Sequence, residues 1–411
     1  MTPAARIQAA IEILEGLNAT ALPADRFIRD WFRTRRYAGS KDRAGVVERV
    51  FDVFRHKASY AWRMQSDAPR ALVIAGVLAE GGDAAALFDG QGYGPKPLSD
   101  AEIAAIGAQP GVAPLHVRCE FPEFLEAELE RSLGQSLEAE MEAMQARAPV
   151  DLRVNRLKAS RTDVITRLKQ DGFDAQPTPF SPLGIRIASQ QGLAQLRQHD
   201  AFLQGWFEFQ DEAAQIAALL AQAEPGMRVL DLAAGAGGKA LALAADMRNE
   251  GEITAHDIDA GRLLQIAPRA ARAGVIIIRT TDGALPEDPF DIVFVDAPCS
   301  GSGTWRRQPE QKWRLTPERL QELIRIQDSL LDQAARVGAG GRLVYATCSL
   351  LRSENEDRIA AFRARHPEFA VARADEAWDG AKPPGLAEFF RATPATAGTD
   401  GFFAAILVRK E

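Results

Sequence analysis

The sequence predicts a mixed α/β protein: a C-terminal doubly wound parallel sheet, preceded by a small α/β layer and an all-helical N-terminal region. Three observations predict it. The hydrophobic period changes from helical to alternating near residue 150, strand and helix patterns alternate from about Glu208 onward, and a Gly-rich turn joins the first of those later strands to a helix. The 411 residues suit several domains at roughly 100 to 200 residues each. The expected boundaries are 1–149, 150–207 and 208–411.

The first region is rich in Ala, Leu and Glu. Ile7, Ile11, Leu14 and Leu17 recur at helical spacing, and 71–78 and 124–133 repeat the pattern. The loop Gly90-Gln-Gly-Tyr-Gly-Pro-Lys-Pro97 cannot continue a helix and marks a turn. In the second region, Leu152–Asn155 reads as a strand. Ser160-Arg-Thr-Asp163 has the spacing of a capping box opening a helix over 164–169, and short strands follow at 174–177 and 185–187. This order suits a split βαβ, RRM-like layer. The third region has strand patterns at 227–232, 252–257, 275–279, 291–296, 341–347 and 402–408, most of them separated by helices. A mainly parallel, Rossmann-like sheet binds its ligand beyond the carboxyl ends of its strands.

Composition narrows the function. Hydrophobic residues at 46% and charged residues at 26% are ordinary for a globular protein, so no fibrous or wholly disordered class is needed. A net charge of −7 excludes a general polyanion binder, and any nucleic-acid site must be a local patch. Residues 26–57 supply one, with ten basic residues against four acidic; they form either a solvated, ion-paired helix face or a phosphate-tracking surface with Trp31, Phe32 and Tyr37 beside it. Three widely spaced cysteines, Cys119, Cys299 and Cys348, suit neither a disulfide framework nor a zinc site and read as reduced cytoplasmic thiols. The five histidines, His56, His116, His199, His256 and His366, lack ligand spacing and read as surface or satisfied residues, so no metal is expected. No apolar run approaches the roughly 20 residues of a membrane span, and neither a membrane nor a leader segment is expected.

The strand ends carry the chemistry. The turn Val229-Leu-Asp-Leu-Ala-Ala-Gly-Ala-Gly-Gly-Lys239 fails as a P-loop, because Ala240 follows Lys239, and fails as a dinucleotide fingerprint, because its third glycine position is also Ala240. Asp231, Asp257, Asp282 and Asp296 fall at or just past four successive strand ends. Carboxylates would repel a pyrophosphate but accept ribose hydroxyls and a cation, which suits S-adenosylmethionine. Each Asp taken alone has a turn or N-cap role as its bland alternative. Cys299 and Cys348 follow the strands that end near 296 and 347. A thiol beside a methyl donor has a joint purpose with it: adding to C6 of a pyrimidine makes C5 nucleophilic.

These residues resemble a known family. Asp296-Ala-Pro-Cys-Ser-Gly-Ser-Gly-Thr304, Tyr345-Ala-Thr-Cys-Ser349 with Glu354-Asn-Glu356, Phe209-Gln-Asp-Glu212 and Asp400-Gly-Phe-Phe403 resemble the RNA cytosine-C5 methyltransferases of the ribosomal RNA small-subunit methyltransferase B/NOP2/Sun type, over about 152–410. The N-terminal region is similar to a shortened NusB-like domain, with Gly39-Ser-Lys-Asp-Arg43 as its best local match. The resemblance implies an enzyme acting on RNA, ribosomal RNA in particular, with S-adenosyl-L-methionine as donor; a monomer is expected. It implies Cys348 as the nucleophile on C6, Cys299 as the second thiol assisting adduct breakdown, and Asp296 near the donor and the target base. Donor binding falls on Ala233, Ala234, Gly235, Ala236, Gly237, Gly238 and Lys239, with Asp257 on the ribose, Asp282 on the adenine end and Asp296 at the methyl end. Trp305-Arg-Arg-Gln-Pro-Glu-Gln-Lys-Trp-Arg314 would then clamp the target nucleotide and its phosphates.

The donor loop departs from the family pattern Asp-Leu-Cys-Ala-Ala-Pro-Gly-Gly-Lys-Thr. Losing the Pro and gaining Gly235 predicts a looser loop, and Ala240 lacks the hydroxyl a Thr would offer. Arg352 also stands where a Pro is common. Two other readings stay open: a non-catalytic RNA-binding ribosome assembly factor that keeps the fold, and an enzyme in which Cys299, preceded by Pro298, attacks C6 instead.

Overall fold

The structure, a computed structural model, describes residues 1–188 and 193–410; residues 189–192 of the predicted second region and residue 411 of the third lie outside it. The chain forms two compact units. One comprises residues 1–130, 137–145 and 305–314, the other 131–136, 146–304 and 315–411.

The first unit is helical. Pro3–Asn18 opens on the side chain of Thr2, which accepts from the Ala5 N–H, and Pro3 gives up only a donor that the first turn leaves orphaned. Ile7, Ile11, Leu14 and Leu17 are buried as their spacing predicts. Pro69–Ala79 is buried along its length from Ala71 to Val77, so it forms the middle of this core. Residues 305–314 belong to the same unit: the indole of Trp313 donates to the Phe54 carbonyl at 2.6 Å, and the Glu310 carboxylate accepts from the Ala24 N–H. The expected basic clamp is therefore corrected for three of its side chains. Trp305, Arg306 and Lys312 are buried here, and burial pushes the Lys312 ammonium down to about 8.

The second unit holds two sheets. Strands β1 (Val150–Val154), β2 (Ala175–Pro177), β3 (Gly184–Ile187) and β4 (Phe207–Phe209) pair antiparallel in the order β2-β3-β1-β4. The helix Arg161–Gln170 packs on them, and the capping box of Ser160 and Asp163 is formed. The larger sheet contains β5 (Arg228–Leu232), β6 (Glu252–His256), β7 (Ile278–Thr281), β8 (Phe290–Asp296), β9 (Val337–Thr347), β10 (Phe369–Ala372), β11 (Phe390–Ala392) and β12 (Phe402–Arg409). Its order is β10-β12-β9-β8-β5-β6-β7, with β11 also paired to β12. Strands β7, β6, β5, β8 and β9 run parallel, and β12 closes on β9 antiparallel. β7 starts later than the apolar run 275–278 predicts. Gly274, at φ +72, ends the preceding helix, and the Val275 N–H caps it by donating to the Ala270 carbonyl.

Chain order reverses between β5 and β8, so the loops after those strands diverge and leave a crevice at the sheet's carboxyl edge. Among the described residues, no helix is long and apolar enough to cross a membrane, and no group of three or more His, Cys, Asp or Glu could hold a metal ion.

Candidate active site

At the crevice, a cleft of about 740 Å³ is lined by Ala233, Ala234, Asp257, Asp296, Cys299 and Cys348, with one wall made by the helix Pro317–Ala334. Asp282, the remaining acidic strand-end residue predicted for the donor, follows β7 but is exposed and lies outside that lining. Asp231 is fully buried beneath the lining, with the Ala240 N–H as the backbone donor that bears on its carboxylate. Burial first, and the neighbouring Asp296 second, raise its carboxyl to about 7.

The donor loop turns sharply, with Ala233, Gly235 and Gly237 all at positive φ. Asp257 holds it: one carboxylate oxygen accepts from the Gly235 N–H and the other from the Asp259 N–H, both at 2.8 Å. Two arginines hold its far side. Arg269 donates to the Ala236 carbonyl, and the buried Arg153 of β1 donates to the Gly238 carbonyl at 2.8 Å and to Gln210 at 2.6 Å. The buried carboxylate of Glu208 in turn pairs with Arg269 and Arg272. The loop expected to be loose is thus tied at Gly235, Ala236 and Gly238. At its end Lys239, almost fully buried, reaches Asp296 at 3.0 Å.

The thiols meet across β8 and β9. Cys299 Sγ and Cys348 Sγ are 3.4 Å apart. The contact with Cys348 first, and burial second, push the Cys299 thiol well above its ordinary value. The motifs that flank them form the supporting frame. The Gly303 N–H donates to the Cys348 carbonyl, and the Gly401 N–H donates to the Gly303 carbonyl. A Cβ on Gly303 would stand 2.0 Å from the Gly401 carbonyl oxygen, so these two glycines permit a backbone contact that no side chain fits. In the Phe209–Glu212 motif, Gln210 holds Arg153, while Asp211 caps the next helix and accepts from the Asp400 N–H. Glu212 accepts from the Phe180 and Ser181 N–H groups. These residues build the site without lining the cleft.

Sequence reasoning did not anticipate several participants. His256, read as an ordinary satisfied residue, lines the cleft, and its buried Nδ1 has no partner; the other four histidines each pair with a carboxylate. Arg262 and Arg325 also line the cleft. Arg153 and Arg269 come from distant segments, and only the gap in the family's loop pattern hinted that something else must hold the turn.

A Rossmann-like sheet with a nucleoside-sized crevice at its switch point and two thiols on the crevice wall has the build of a methyltransferase. The family description "16S rRNA methyltransferase RsmB/F" matches residues 217–408, and an RsmF/B-like ferredoxin-like domain matches 121–194. The chain is 33% identical over 296 residues to ribosomal RNA small subunit methyltransferase B of Photorhabdus laumondii and equally to that of Klebsiella pneumoniae, covering 70% of this chain and 66% of each relative. Among solved structures, that of PH0851 superposes with a TM-score of 0.80 at 25% identity over 100% of this chain and 99% of the other. A methyltransferase homologue from Pyrococcus horikoshii gives 0.62 at 27% identity over 73% and 100%. Residues 217–408 thus match the RsmB/F methyltransferase family, and the chain spans 66% of the length of the curated relatives it matches.

Proposed function

We propose that this chain is an S-adenosylmethionine-dependent RNA methyltransferase acting on C5 of a cytosine in ribosomal RNA, through a covalent bond between Cys348 and C6 of the base. The observation that carries the reading is the 3.4 Å approach of the two sulfurs in one cleft with Asp257 and Asp296. Relatives named ribosomal RNA small subunit methyltransferase B support ribosomal RNA as the substrate class.

The residues present fit the donor. Asp257, at the end of β6, keeps lone pairs for ribose hydroxyls while it braces the Gly235 turn. Gly235 and Gly237 let the backbone approach closely, and Asp296 offers negative charge toward a cationic centre. S-adenosyl-L-methionine, when bound, supplies an electrophilic methyl group.

Cys348 is the nucleophile. Its sulfur adds to C6, and the displaced electron pair passes through the ring, leaving C5 electron-rich enough to take the methyl group. As the sulfur adds, N3 takes up a proton from solvent, and the Asp296 carboxylate, steadied by Lys239, accepts a hydrogen bond from that N3–H and favours the addition. Loss of the C5 proton to solvent water then expels the Cys348 sulfur as thiolate and restores the aromatic ring. Cys299, in contact with Cys348, assists that elimination.

Small-subunit ribosomal RNA incubated with the protein and S-adenosylmethionine, then mapped by bisulfite sequencing, should gain a protected cytosine. RNA that binds the protein yet stays fully converted would favour the assembly-factor reading and overturn this one.

A further inference from the structure

We infer that Glu354 is the positioning residue that locks the Cys299 loop against the strand end carrying Cys348 and keeps Cys299 a thiol, so that Cys348 alone is free to attack. The inference rests on the thiol roles proposed above. It starts from a buried charge with an unusual set of partners. Glu354 is fully buried in the short turn Arg352–Glu354, and its carboxylate takes four hydrogen bonds, all from neutral donors. One oxygen accepts from the Ser300 N–H at 2.8 Å and from the Gln327 amide at 3.0 Å. The other accepts from the hydroxyls of Ser300 and Ser349, each at 2.5 Å.

Ser300 follows Cys299 and Ser349 follows Cys348, so a single carboxylate grips the residue after each thiol. Gln327 extends the grip from the helix Pro317–Ala334 to the Pro298 carbonyl, on the other side of Cys299. Neighbouring bonds close the frame: the Tyr345 hydroxyl donates to the Glu354 carbonyl, Asn355 bridges the Thr347 hydroxyl and the Ser349 carbonyl, and the Ser302 and Ser349 hydroxyls lie 3.0 Å apart. Removing water from a carboxylate is costly, and four short donors offset that cost only while both loops stay in place. The 3.4 Å thiol contact is therefore a consequence of a rigid frame.

The same charge acts on Cys299. The charged and titratable groups bearing on Cys299 are Cys348 at the end of β9, Tyr345 within it and Glu354, while Lys239 and Asp296 pair with each other in the same unit. A negative charge behind Cys299 opposes a second one on its sulfur. The Cys348 contact and burial raise the Cys299 thiol most and the Glu354 charge adds to them, so Cys299 stays protonated beside Cys348, as a group that assists departure of a thiolate without competing with it.

The test needs neither RNA nor methyl donor, so its outcome is independent of whether the protein methylates. In a Cys348→Ser background, alkylation of Cys299 by iodoacetamide is followed against pH on its peptide by mass spectrometry. Glu354→Gln, which keeps the shape and removes the charge, should raise the Cys299 rate at pH 8 at least about threefold. Glu354→Asp, which keeps the charge, should follow the parent. A Glu354→Gln profile that overlays the parent, or a Glu354→Asp profile that follows Glu354→Gln, overturns the charge assignment. Should Glu354→Gln fail to fold, Ser300→Ala replaces it in the otherwise native protein. Diamide should then oxidise the Cys299–Cys348 pair several-fold more slowly, because one tie between the loops is gone; an unchanged rate overturns the positioning role.

Discussion

The donor loop and the thiol edge sit at neighbouring strand ends of one sheet, yet they are stabilised in opposite ways. The thiol edge is held chiefly by its own motifs: Ser300, Ser349, Glu354 and Asn355 lie close in sequence to Cys299 or Cys348 and are linked by hydrogen bonds, with Gln327 and Gly401 as the ties from elsewhere. The donor loop has lost the family's Pro and Thr and is held from outside, by Arg153 of the small sheet and Arg269 of the helix Ile266–Ala273. A local frame can be read from sequence, whereas a frame assembled from distant segments cannot. The two should also fail differently when broken.

The largest effect is expected at Gly303. A Cβ there meets a backbone carbonyl that cannot move aside, so Gly303→Ala should displace the Cys299 loop and cut methyl transfer about a hundredfold, the order that an ångström of misplacement costs. S-adenosylmethionine affinity, measured by calorimetry, should stay within about twofold. Loss of donor affinity instead would erase the distinction between the two regions.

Arg153→Ala should do the reverse. Removing the Gly238 and Gln210 bonds from a buried guanidinium frees the donor loop, and donor affinity should fall roughly tenfold, about 1.4 kcal/mol. The iodoacetamide profile of Cys299 should not move. An unchanged donor affinity would mean that Asp257 and Arg269 hold the turn without Arg153.

Asp231 lies beneath both regions and yields a pH prediction with a definite sign. Its carboxyl is raised to about 7 in the folded chain, above its unfolded value near 3.9, so between those values the folded state binds more protons than the unfolded one. Stability attributable to this group is present below about pH 4 and lost as pH rises toward about 7. Urea melts of the parent and Asp231→Asn should therefore diverge by an amount on the order of a few kcal/mol across that window, the variant gaining at the alkaline end. Parallel curves would place the carboxylate in a better-solvated site than the structure gives it.

The smallest effect lies outside both regions. In the basic segment, Arg35 stacks on Trp31 at 3.7 Å and donates to its carbonyl, whereas Arg36 is exposed. Arg36→Glu should flatten the salt dependence of RNA binding by about one charge and leave donor affinity and thiol reactivity untouched. An unchanged slope returns the segment to a solvated helix face.

What the sequence made legible follows the same division. The capping box at Ser160, the apolar stripe of the first helix and the strands ending at Asp296 and Thr347 are set by neighbours a few residues apart, and the structure has them where the pattern predicts. Within 305–314, the burial of Trp305, Arg306 and Lys312 is not legible, because basic and aromatic residues have the same composition whether they face RNA or, as here, are packed away from solvent. Arg153 and Arg269 carried no local signal. The glutamate at 354 was visible as part of a motif, but its role depended on two serines brought together by the pairing of β8 with β9.

The central claim is the division of labour between the two thiols, and trapping the protein on RNA tests it most directly. Cys299→Ala and Cys348→Ala are each incubated with small-subunit ribosomal RNA and S-adenosylmethionine and resolved on a denaturing gel. Cys299→Ala should accumulate a covalent protein–RNA band, because the adduct forms but is not released, and Cys348→Ala should give none. A band with Cys348→Ala and none with Cys299→Ala would contradict the account and make Cys299 the nucleophile.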